Sequence, residues 1–200
     1  MSKAAAGSGA NGDLNSHLLD TAMMILGPIK EVSATMETFI PDNPDPANPG
    51  ESFSVDVDDA VFVQARFASG TLATFEATRF AVGFQNANRF EIHGEGGMLR
   101  FDLEDLNRLE YFDASGENRL QGRSTILVTN ADHPYGGKLW KPGYQTGYEH
   151  TFIAALADFL AALDSGGQIE PTIEDALAVQ RVLDAVETSA NERRWVETGL

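Results

Sequence analysis

The chain has 200 residues, 42% hydrophobic and 22% charged, enough to bury one good core and, on length, to form a single domain. Its 30 acidic against 14 basic residues give a net charge of -16 at pH 7, which repels phosphate backbones and anionic bilayers, so neither nucleic acid nor membrane is an expected partner. Cysteine is absent, which excludes disulfides and thiolate metal or redox chemistry and suits a cytoplasmic location; no signal-peptide run or membrane-length apolar stretch is visible.

In chain order, Leu14, Leu18, Leu19, Ala22, Met23, Ile25 and Leu26 recur at helical spacing before Gly27-Pro28, predicting a helix over 13–26. Residues 29–40 alternate as a strand, and 41–54, with Pro41, Pro44, Pro46 and Pro49, read as a long loop. Two β-rich runs, 58–67 and 71–82, flank Ser69-Gly70 and predict an antiparallel hairpin. A two-residue turn there sets Phe62, Gln64 and Arg66 on a face with Ala73, Phe75, Ala77 and Arg79. Val61, Val63, Ala65 and Phe67 then join Leu72, Thr74, Glu76 and Phe80. Neither face is cleanly polar, which predicts that both are covered, one by helices and one by another domain or subunit.

Short strands follow at 90–93, 98–101, 109–112 and 125–128, continuing the antiparallel sheet. From Tyr144 the period becomes helical, with Tyr148, Phe152, Leu156, Phe159, Leu160 and Leu163 on one stripe and Ser165-Gly166-Gly167 as the stop. Thr172 with Asp175 predicts a capped last helix ending near Arg193, with a short strand at 195–198 after it. The expected class is α+β: an open, mainly antiparallel sheet with helices packed on one face.

Gly7-Ser-Gly9-Ala-Asn-Gly12 matches G-x-G-x-x-G, but the six residues before it are too polar and too few for the buried strand that a dinucleotide fingerprint requires. The expectation is a flexible glycine lead-in to a helix. Asp13 and His17 lie four apart, on one helix face, a pairing suited to hydroxyl chemistry: a histidine accepts the alcohol proton near neutral pH while a carboxylate orients it. The alternative is that Asp13 caps the helix and His17 is a half-buried structural side chain. Asp56, Asp58 and Asp59 read as solvated edge acids, and His93, His133 and His150 lack zinc-ligand spacing. Arg79, Asn86, Tyr135, Trp140, Tyr144 and Tyr148 have side chains suited to binding a polyhydroxylated ring.

The segment Gly9 to Asp20, then Leu26-Gly27-Pro28 and a strand, resembles the glucose-fructose oxidoreductase, inositol dehydrogenase and rhizopine catabolism family, Gfo/Idh/MocA. Phe67 to Ala73, Phe90 to Phe101, Gly147 to Phe152, Pro171 to Ala176 and Ser189 to Arg193 resemble its C-terminal domain. The resemblance implies an NAD(P)-dependent sugar or polyol oxidoreductase whose Rossmann domain and Glu-Lys-Pro motif are absent from this chain. It implies His17 as acid/base and Asp13 as its partner, with Arg79, Asn86, Tyr135, Trp140 and Tyr148 as candidate substrate contacts, no cofactor bound by this chain itself, and a homodimer through the open sheet face. The expectation is a substrate-binding and oligomerisation domain that starts at Met1 through truncation and is inactive alone. A non-catalytic binding or assembly module is the rival, and a Rossmann subunit acting in trans is a third possibility.

Overall fold

The computed structural model describes residues 2–200; Met1, where the truncation is expected, lies outside the described residues. The chain divides into two compact units, one formed by the residues up to Val82 together with Pro171–Leu200, the other by Gly83–Glu170. Its class is α+β with open antiparallel sheets, as the alternation and helical periods predict.

In the first unit a short helix α1 (Lys3–Ala6) precedes a π-helical turn, Asn11–Asn15, which runs directly into α2 (Ser16–Leu26). Strands β1 (Ile29–Glu37), β4 (Ala60–Phe67), β5 (Leu72–Thr78) and β10 (Val196–Glu197) form one sheet in the order β10-β1-β4-β5. The predicted loop 41–54 instead folds on itself as a two-stranded ribbon, β2 (Asp42–Pro44) with β3 (Ser52–Ser54). Alternation is too short there to register against the surrounding proline turns.

The β4–β5 hairpin forms, one residue out of the expected register. Phe67 N–H donates to Thr71 O at 2.9 Å, so the loop is Ala68-Ser69-Gly70, with Gly70 at φ +91° supplying the left-handed residue that a three-residue hairpin loop needs. An odd loop reverses the parity of the pairing: Ala65 opposes Ala73, Val63 opposes Phe75 and Val61 opposes Ala77. One face is therefore uniformly apolar and packs against Leu19 of α2 and against Val179, Val182, Leu183 and Val186 of α4 (Ile173–Glu192). The other face carries Gln64, Arg66, Thr74 and Glu76, with Phe62 and Leu72 as exposed apolar exceptions. The mixed faces from which a second covering partner was inferred do not occur.

Helix α4 starts as its sequence predicts. Thr172 Oγ1 accepts from Asp175 N–H, and the Asp175 carboxylate accepts from Thr172 N–H at 2.8 Å. Arg193 ends the helix in the left-handed conformation. Ser189, fully buried, accepts from Ala34 N–H of β1 at 3.0 Å and donates to Arg194 O, so the helix is bolted to the sheet as well as packed on it.

The second unit is an antiparallel meander of β6 (Arg89–Gly94), β7 (Gly97–Asp102), β8 (Arg108–Asp113) and β9 (Ser124–Leu127), followed by α3 (Glu149–Ser165). These strands make a separate sheet rather than extending the first ladder. Helix α3 begins five residues later than the period from Tyr144 implies and ends at Gly166 in the left-handed conformation. Its predicted stripe is present and exposed, from Phe152 through Leu163. Among the described residues no helix is long and apolar enough to cross a membrane.

The N–H and hydroxyl of Thr172 hold the Asp175 carboxyl below its ordinary value of 3.8. A lowered folded value means stabilisation that is complete above pH 3.8 and is lost as the pH falls through the folded value. Thr172→Ala is expected to cost about 1 kcal/mol in urea unfolding at pH 7. The difference between it and the parent should shrink in the same titration below that pH.

Candidate active site

The site is built on the connection between α1 and α2. Gly9 N–H donates to Asp58 Oδ1 at 3.0 Å and Asn11 N–H to Asp58 Oδ2 at 2.7 Å, while Ala10 N–H donates to the Asp58 carbonyl at 2.9 Å. Asp58 is 6% exposed. A buried carboxylate that accepts on both oxygens satisfies the unpaired N–H groups with which a helix begins. Asp58 is therefore a clamp, not the solvated edge acid that its neighbourhood predicts. Asp59 likewise accepts from Phe39 and Ile40 N–H, and Asp56 from Lys3 N–H. All three acids serve main-chain donors.

Close approach explains the glycines. A Cβ on Gly9 would lie 1.9 Å from Asp58 O, and one on Gly12 would lie 1.8 Å from Ser8 Oγ. The segment is packed where a flexible lead-in was expected, with Gly9 and Ala10 buried. It also fails as a dinucleotide cradle on its own terms. Helix α1 precedes it in place of a strand, and the N–H groups that a pyrophosphate would need are already given to Asp58. This chain's glycine motif does not fit a nicotinamide dinucleotide.

Asp13 lies in the π-helical turn, a local widening often found at functional sites. Its N–H donates to Gly9 O at 3.1 Å, and the helix has no side-chain cap, which removes the capping role considered for its carboxylate. That carboxylate instead accepts from Arg79 Nη2 at 2.7 Å. His17 follows four residues later in the first turn of α2, with an exposed side chain. Asp13 and Arg79, with Ala6, Ser8 and Gly12, line an open recess of about 300 Å³. On the buried side of the same turn, Asn15 Nδ2 donates to Asn11 Oδ1 at 3.1 Å and Asn11 Nδ2 donates to Leu183 O at 3.3 Å. These amides lock the turn to α4.

The remaining candidates belong to the second unit. Asn86 N–H donates to Glu104 Oε1 at 2.8 Å. Tyr135 donates to Asp158 Oδ2 at 2.5 Å, and that bond, with partial burial, raises the phenol above its usual range. Trp140 stacks on Tyr144 with centroids 6.3 Å apart, and Tyr148 meets Phe152 edge-on at 5.3 Å. Gly147 N–H donates to His150 Nδ1 at 3.0 Å. Sequence reasoning did not single out Asn107, whose Oδ1 accepts from Thr146 N–H at 2.9 Å and whose Nδ2 donates to Thr146 O at 2.9 Å, fixing the approach to α3.

The family model for the GFO/IDH/MocA C-terminal domain matches residues 1–100. The chain belongs to this family. Levoglucosan dehydrogenase from Pseudarthrobacter phenanthrenivorans is 36% identical over 207 residues, an alignment that takes in 98% of this chain and 53% of that protein. An oxidoreductase domain protein from Kribbella flavida superposes with a TM-score of 0.95 at 45% identity, over 98% of this chain and 53% of the other. Levoglucosan dehydrogenase in complex with NADH and L-sorbose gives a TM-score of 0.93 at 38% identity, again over 98% of this chain and 52% of that one. This GFO/IDH/MocA chain thus spans about half the length of the relatives it matches.

Asp58→Ala leaves the Gly9 and Asn11 N–H groups buried without acceptors and is expected to cost at least about 2 kcal/mol. Asp58→Asn should fail to rescue it, because an amide turns one acceptor into a donor facing an N–H. Urea unfolding of both variants measures this; wild-type stability in Asp58→Asn would contradict the bidentate clamp.

Proposed function

We propose that this chain is the substrate-binding and oligomerisation half of an NAD(P)-dependent sugar or polyol oxidoreductase, and that it does not turn over alone. The observation that carries the proposal is the clamped helix start, which leads into an exposed Asp13 at an open recess and an exposed His17 four residues on. Membership in the GFO/IDH/MocA family supports the same reading. So do the bound NADH and L-sorbose of a similar structure, which favour NAD and a neutral sugar as the first ligands to try.

The chemistry assigned to this chain is proton handling. When the carbon of a secondary alcohol gives up hydride, its hydroxyl must give up a proton for the carbonyl to form, and an imidazole accepts that proton near neutral pH without a large driving-force penalty. His17 takes that role, and Asp13 orients the ring or holds a neighbouring hydroxyl. The redox partner is a nicotinamide cofactor carried by the parent's Rossmann half, since the glycine segment here is committed to Asp58. In the second unit, Asn86, Tyr135, Trp140 and Tyr148 carry side chains suited to a polyhydroxylated ring, and a sugar-binding role for them rests on that chemistry alone. The proposal includes a homodimer through the outer sheet face around Phe62 and Leu72, and a cytoplasmic location.

His17→Ala in the two-domain parent should lower turnover by about 10²- to 10⁴-fold with an unchanged melting temperature; near-normal turnover contradicts the assignment. Titrating the isolated chain with NADH and NADPH should leave the fluorescence of Trp140 and Trp195 unchanged, whereas saturable quenching would show a cofactor site in this half.

A further inference from the structure

The Arg79–Asp13 pair joins residues 66 positions apart, with a separation of 2.7 Å between Nη2 and Oδ2. Its side chains are 35% and 59% exposed. An ion pair this open contributes little to folding, because solvent screens it and two long side chains must be held in one geometry. The backbones beneath it are another matter. Arg79 N–H donates to Asp59 O at 3.0 Å, and the preceding residue, Asp58, holds the segment that leads to Asp13. Two consecutive residues thus fix the relative placement of the two chain segments that carry the pair.

A carboxylate on the outer face of a helical turn rotates about two side-chain torsions unless something selects one orientation. Here the guanidinium does so, engaging Oδ2 and leaving Oδ1 for a further donor. We infer that Arg79 is a positioning residue: it sets the Asp13 carboxylate towards the recess that both residues line, so that Oδ1 is left for a substrate hydroxyl. It acts through Asp13 and is not itself a sugar contact. This departs from the role that side-chain chemistry alone assigns to Arg79, and it rests on the reading of Asp13 and His17 as the hydroxyl side of the site.

The test is steady-state kinetics of the two-domain parent with NAD and a sugar substrate such as levoglucosan. Arg79→Gln is expected to lower kcat by about 10- to 100-fold, the scale of a misplaced catalytic group, with little change in the KM for sugar. Arg79→Lys should recover part of the loss. In an Asp13→Asn background, Arg79→Gln should add nothing, since its effect runs through the carboxylate. A raised sugar KM with unchanged kcat would make Arg79 a substrate contact and overturn the inference. A full additional loss in the Asp13→Asn background, or wild-type kinetics in Arg79→Gln, would overturn it as well.

Should Arg79→Gln not fold, Arg79→Lys carries the test: a kcat loss that vanishes with Asp13→Asn supports the inference, and one that persists opposes it. His17→Ala separates the two levels. Normal turnover there overturns the underlying reading of the site, whereas a crippled His17→Ala beside an unaffected Arg79→Gln overturns only the role of Arg79.

Discussion

Two backbone N–H groups, those of Gly9 and Asn11, converge on the two oxygens of one buried carboxylate, Asp58, and the geometry of the candidate site depends on that convergence. The bonds do three things at once. They satisfy donors with which the helical segment begins, they bring the N-terminal segment onto the residues leading into β4, and they fix where the following turn projects Asp13. Gly9 is required for the approach, since any side chain there would collide with the Asp58 carbonyl. On the inner face of the same turn Asn11 bonds to Leu183 of α4 and Asn15 bonds to Asn11, while Asp13 is exposed on the outer face.

That arrangement sorts the polar groups of the turn by burial. Asp58, Asn11 and Asn15 are buried, with Asp58, Asn11 and the Asn15 Nδ2 group hydrogen-bonded, whereas Asp13 and His17 are exposed. With the roles proposed for Asp13 and His17, such a turn would place them by hydrogen-bonded main chain rather than by packing around their side chains. The second unit repeats the device with a different residue. The Asn107 amide pairs with both the N–H and the carbonyl of Thr146 and so fixes the chain entering α3.

Much of this was legible in the sequence, and the failures have physical reasons. Helix α4 was readable because its capping box, its apolar stripe and its C-terminal stop are all local. The strands of the second unit were bounded by turns close at hand. The β4–β5 register was missed because a loop of three residues and one of two look alike around Ser69-Gly70, yet they reverse which side chains share a face. The error also produced an apolar pattern on both faces that the sheet does not have. Asp58 was read as an edge acid because its partners lie 49 and 47 positions away, and no local pattern reveals them. The Asp13–His17 spacing was visible, while the Arg79 contact is a product of the fold. For α3 the helical period was right, and its stripe stands exposed because periodicity reports a face, not what covers it.

The clamped turn is proposed to present His17 to a sugar hydroxyl. A crystal structure of the two-domain parent with nicotinamide cofactor and an unreactive polyol tests it most directly. The account predicts a His17 ring nitrogen within about 2.6–3.2 Å of the hydroxyl on the carbon facing the nicotinamide, with Asp58 still holding Gly9 and Asn11. A polyol bound with His17 turned to solvent, beyond hydrogen-bond reach of any hydroxyl, would contradict it.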